Sequence, residues 1–173
     1  MKSRLIVATL ALLVTAGSVF AADDAAKAAK DAKMKEMTAM MKAEMMKCSV
    51  CKNMATHMDE LAPVMKVEAV KMNDGMAMVH TISDASKLPM FRESCQLTHT
   101  AGEAAIGMTD EQAAKELCPF CQELRGIMKS GGHMSMGQTT NGDIMVVTSS
   151  DAAVATRISA LQEKCAMMMS QMQ

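Results

Sequence analysis

Residues 73–86, NDGMAMVHTISDAS, can be laid over residues 140–153, TNGDIMVVTSSDAA, at an offset of 67. The overlay pairs Gly75 with Gly142, Met78 with Met145, Thr81 with Thr148 and Asp84 with Asp151. Asp74-Gly75 and Asn141-Gly142 are turn dipeptides of the type I′ kind. Their flanks predict strands at Met65–Met72 with Met76–Ile82, and at His133–Thr139 with Ile144–Ser149. Each stretch is therefore predicted as one β-hairpin. Asp84 and Asp151 then stand where N-caps belong, before helices whose apolar positions (Leu88, Phe91, Cys95 and Ile158, Leu161, Cys165) fall at helical spacing.

The cysteines carry the same duplication. Cys118, Cys121 and Cys165 each follow Cys48, Cys51 and Cys95 by 70 residues, so both halves read C-x2-C-x43-C. The Ala/Lys/Met-rich segment 25–47 and TDEQAAKEL at 109–117 favour helix before each CxxC, and helical residues continue to about Leu61 and Lys129. The predicted fold class is α+β: a tandem duplication of a helix–CxxC–helix–hairpin–helix unit whose two hairpins can share one antiparallel sheet. Residues 1–21 read as a signal peptide, 22–99 as the first repeat, 100–108 with Gly102 and Gly107 as a connector, and 109–173 as the second repeat. A unit of roughly 70 residues buries little surface alone, so the repeats need a common core or cross-links.

The opening Met-Lys-Ser-Arg is basic, Leu5 to Val19 is almost wholly apolar, and Val19-Phe20-Ala21 supplies small residues at a cleavage point. That pattern predicts export to a periplasmic or secreted location. The apolar run is short for a membrane span, and no stable membrane insertion is expected once it is removed. Taking Lys2 and Arg4 from the 18 basic residues leaves 16 against 19 acidic ones, a net charge of −3 with no basic block. Nucleic acid is not an expected partner. Phe91 and Phe120 are the only aromatic residues after the leader, which leaves no stacking platform for bases or sugars. Methionine, 23 residues in all, takes the place of leucine as core filler, including the stripe Met34, Met37, Met41 and Met45.

Cysteines three apart on a helix share a face, close enough to chelate one ion. Four residues beyond the third cysteine stand His99 in the first repeat and Met169 in the second. One candidate set is therefore Cys48, Cys51, Cys95 and His99, a Cys3His arrangement suited to Zn²⁺. The other is Cys118, Cys121, Cys165 and Met169, a softer set suited to Cu(I). His80 reads as a half-buried, hydrogen-bonded histidine, since Val147 replaces it in the other repeat.

Two further functions compete. Six cysteines, an even number in an exported chain, can form a fully paired disulfide framework for a structural or interaction module whose partner is another exported protein. The sequence Cys118-Pro119-Phe120-Cys121 resembles the active-site motif of glutaredoxins and thioredoxins over those four residues, which implies thiol–disulfide exchange and a cysteine of lowered pKa. The surroundings depart from that family: a helix-forming segment precedes the motif, and no proline follows Cys121 to supply its later cis-proline. No nucleophile elbow, HExxH or phosphate-binding glycine loop points to an enzyme.

Overall fold

The structure, a computed structural model, describes Ala28, Ala32, Lys33 and residues 35–170. The leader predicted at 1–21 lies outside the described residues. The chain divides into two units, Met1–Ala39, whose described residues are helical, and Met40–Gln173, which carries everything below.

The second unit mixes helices with a four-stranded antiparallel sheet, as the α+β expectation required. Helical residues 40–47 (α1) lead into two short helices, α2 (Lys52–Ala55) and α3 (Met58–Leu61). Strands β1 (Met65–Lys71) and β2 (Gly75–Ile82) form the first hairpin, and α4 (Leu88–Ile106) follows it. Next come α5 (Asp110–Glu116), α6 (Pro119–Lys129), the second hairpin β3 (His133–Thr139) and β4 (Gly142–Thr148), and α7 (Ala152–Ser170). The strand order is β1-β2-β4-β3, so the two hairpins meet along β2 and β4. In that seam Met78 lies opposite Met145, Gly75 opposite Thr148 and Thr81 opposite Gly142.

Asp84 and Asp151 cap as their positions suggest. Asp84 accepts from the Ser86 N–H at 2.9 Å, and Asp151 from the N–H groups of Ala153 and Val154 at 2.9 and 3.0 Å. The turn glycines behave differently from expectation. A type I′ turn needs positive φ at both central residues, and among the described residues only Gly131 has positive φ. Gly75 and Gly142 are required instead by close approach across the seam. A Cβ on Gly75 would lie 2.0 Å from the Val147 carbonyl oxygen, and one on Gly142 1.9 Å from that of His80.

The expected connector is also different. Residues 100–106 are the last turns of α4, because Ala and Glu around Gly102 sustain the helix until Gly107. Thr109 then starts α5 with a reciprocal capping box to Gln112. Arg125 of α6, buried, ties this corner together: its guanidinium donates to the carbonyls of Ala105 and Met108 and to Asp110. It thereby adds a donor to the Ala105 carbonyl near the end of α4 and another to the Met108 carbonyl just beyond it.

Three apolar clusters result. Met76 and Val147 of the sheet pack with Ile127, Val154, Ile158 and Leu161. Ile82 packs with Leu61 and Phe91, with Cys95 at the margin. The third, away from the sheet, gathers Cys48, Val50, Ala105, Ala113, Leu117 and Cys121. Among the described residues no helix is long and apolar enough to cross a membrane.

Candidate metal centre

Both CxxC motifs sit at helix boundaries, which turns their sulfurs toward one another. Cys48 directly follows α1, and its N–H bonds to the Met45 carbonyl at 3.1 Å. Cys51 occupies the N-cap position of α2. In the other motif Leu117 ends α5 in an extended conformation, Cys118 is the N-cap of α6, Pro119 is preorganised for the first helical position, and Cys121 completes the first turn. The Ser49 N–H donates to the Glu116 carbonyl at 2.9 Å and so joins the first motif to the end of α5.

The outcome is one four-sulfur group. The Sγ atoms of Cys48, Cys51, Cys118 and Cys121 all lie within 4.8 Å of one another. Cys51 is 3.3 Å from Cys121 and 3.8 Å from Cys118. A disulfide requires about 2.05 Å, and all six cysteines are free. A tetrahedral ion with sulfur ligands at about 2.3 Å needs sulfurs about 3.8 Å apart. The Cys51–Cys118 separation matches that spacing, Cys51–Cys121 is shorter, and the cluster has that number of donors. Cys48 and Cys121 are buried while Cys51 and Cys118 are half-buried.

Crowded thiols cannot all ionise together. Hydrogen bonds from Cys121 and then Cys51 hold the Cys118 thiol far below its ordinary range. The same contacts, seen from the donors, push Cys121 and Cys51 up. An ion that took all four sulfurs would displace the protons they carry.

The grouping differs from the two sets expected within the halves. Among the described residues, the four CxxC sulfurs form the one group of three or more histidine, cysteine or acidic ligand atoms close enough to share an ion. Cys95 turns to the sheet, where its thiol donates to Asp143; burial first, then that carboxylate, pushes the thiol up. His99 is half-buried beside Glu103, its Nδ1 3.9 Å from the carboxylate. Cys165 is buried on α7, its thiol raised by burial, and Met169 is half-buried one turn further on. Helical spacing put Cys95 with His99 and Cys165 with Met169, but a face shared along one helix does not say which other element arrives at it.

His80 is half-buried and hydrogen-bonded, as read from the sequence. Its Nδ1 donates to Asp143 Oδ1 at 2.7 Å, and its ring lies 5.8 Å from that of Phe91. Asp143, which sequence reasoning missed, is buried between His80 and Cys95. Burial pushes its carboxyl up, but the hydrogen bonds from His80 and Cys95 outweigh this and hold it below the usual carboxylate range. A charged residue directly before the strand predicted at Ile144–Ser149 was the available signal.

No protein-family model, curated protein or solved structure matches the chain.

Proposed function

We propose that this is an exported, metal-binding protein made of a duplicated unit, in which Cys48, Cys51, Cys118 and Cys121 hold one Zn²⁺ ion. The observation that carries the reading is the mutual approach of four sulfurs, all within 4.8 Å of one another. Four thiolates in a tetrahedron suit Zn²⁺. Each half supplies one chelating pair, so the ion closes the two halves on each other and its binding energy becomes folding energy. Duplication is supported by the seam. Met78 and Met145, equivalent at the offset of 67, lie opposite each other, and Gly75/Thr148 and Thr81/Gly142 exchange places about them. Export rests on the basic and apolar opening of the sequence.

Titration of the reduced protein with Zn²⁺ against a chromophoric chelator should give one ion per chain, and Co²⁺ should show the absorption of a tetrahedral sulfur site. Cys48→Ser should abolish tight binding, while Cys95→Ser and Cys165→Ser should leave it unchanged. A stoichiometry of two, or dependence on Cys95 and Cys165, would return the ligands to sets within each half. At free Zn²⁺ a thousand times the Kd, chelation should lower unfolding stability by about 4 kcal/mol.

A second reading, thiol–disulfide exchange, is favoured by the depressed Cys118 thiol at the N-cap of α6 beside the buried Cys121. It expects the metal-free protein to reduce the disulfides of a model protein substrate, and Cys118→Ser to be inert. No turnover above the rate of free thiol would remove it.

A further inference from the structure

The sulfur cluster contains an asymmetry that metal binding does not use. Cys48 is 1% exposed, so no reagent reaches it from solvent, whereas Cys51 and Cys118 are half-buried. Cys51 is in contact with two sulfurs, both from the other motif, and the nearer is Cys121 at 3.3 Å. Closing that pair to a disulfide requires a movement of about 1.2 Å. It links the start of α2 to the first turn of α6, the two elements an ion would otherwise join.

We propose that the centre is a redox-gated metal site in which a small disulfide oxidises Cys51 and Cys121 to a cross-link and expels the ion. This rests on the zinc reading given above. In the zinc-loaded chain the sulfurs that hold the ion are thiolates, and that of Cys51 attacks the small disulfide, forming a mixed disulfide and releasing one small thiolate. The Cys121 thiolate then attacks the Cys51 sulfur, forming the Cys51–Cys121 bond and releasing the second small thiolate. Two cysteine sulfurs lose one electron each, and the two electrons reside in the two small thiolates. Cys48 and Cys118 remain as two ligands where four are needed, so Zn²⁺ leaves to solvent. A thiol reductant runs the exchange backwards and restores the site. The covalent link takes over the closure of α2 on α6, so the metal-free oxidised protein keeps its fold. An exported chain meets the oxidising conditions in which this exchange operates.

The test uses the full zinc-loaded chain and oxidised glutathione. Released Zn²⁺ is read with a chromophoric chelator, and the cross-link is located by proteolysis and mass spectrometry. The expected result is one Zn²⁺ released per Cys51–Cys121 peptide formed, with both changes reversed by dithiothreitol when Zn²⁺ is returned. Cys121→Ser should not form the link. Because that change also removes a ligand, Cys118→Ser is the control: it weakens the metal site equally yet still forms the Cys51–Cys121 link, with helicity checked by circular dichroism. Zinc retained under excess oxidant, or release accompanied by Cys48–Cys51 or Cys118–Cys121 links, overturns the gating while the zinc reading stands. If the reduced chain takes up no Zn²⁺, the zinc reading and the gating fall together.

Discussion

The seam between β2 and β4 has two ends that the offset of 67 makes equivalent, and they are built from opposite chemistry. At one end Met76 lies across from Val147, both fully buried, packed on Ile127, Val154, Ile158 and Leu161. At the other end His80 lies across from Asp143, and the Cys95 thiol of α4 donates to the same carboxylate. The backbone pairing is the same at both ends, so register does not depend on which side chains face each other. Each end is set by what packs on the seam from the helices. The apolar end draws its stability from transfer out of water and close packing. The polar end must first offset the desolvation of a carboxylate, and only the surplus of its hydrogen bonds stabilises it.

The apolar end should therefore be the more costly to damage. Met76→Ala leaves a cavity among residues with little freedom to collapse and should lower unfolding stability by about 4 kcal/mol in urea titrations. A loss below about 1 kcal/mol would show that this end is not the principal core. The glycines test whether the two ends share the same backbone constraint. Gly75→Ala and Gly142→Ala place a Cβ 2.0 and 1.9 Å from a carbonyl oxygen across the seam. Each should cost about 3 kcal/mol, and clearly unequal losses would show that the ends differ in backbone as well as side chain.

Next in size is the polar end. Asp143→Ala strands the His80 Nδ1 donor and the Cys95 thiol and should cost about 2 kcal/mol. Replacing both partners, His80→Val with Asp143→Met, carries the chemistry of the apolar end to this position. It should recover at least about 1 kcal/mol of that loss, because replacing a buried polar pair by apolar groups is often neutral. A double variant less stable than Asp143→Ala would mean that the hydrogen bonds contribute more than their desolvation takes away.

Local signals made much of this architecture legible. The dipeptides Asp74-Gly75 and Asn141-Gly142 located the hairpins within a residue or two, and Asp84 and Asp151 marked the starts of the helical segments that follow. Gly102 and Gly107 concealed that residues 100–106 continue a helix, because two glycines in a short stretch also describe a linker. Glycine at 75 and 142 was visible, but its reason was not: the sequence shows a turn dipeptide, while the constraint is a neighbouring strand that only the folded chain supplies. The sulfur centre was half legible. Each CxxC announces a chelating pair, yet completion by the other CxxC depends on the Ser49–Glu116 hydrogen bond and the Arg125 clamp, which join segments far apart in sequence. Cys95 and His99 share a helical face, and that face met a buried carboxylate.

The smallest expected effect separates the two ends by pH. Asp143 is held below the ordinary carboxylate range in the folded protein, so in the unfolded chain it binds its proton more readily. The stability it contributes is complete above the unfolded carboxylate value, about 3.9, and is lost as pH falls through the folded value. The Met76–Val147 end has no titratable group and contributes equally throughout. Other depressed carboxylates, Glu60, Asp84 and Asp110, add their own acid dependence, but they are exposed and common to both proteins in a comparison of the parent with Asp143→Asn. The difference in unfolding stability between those two should narrow as pH falls below about pH 4. Narrowing that begins near pH 6 would show that the carboxylate is not the group controlling this end of the seam.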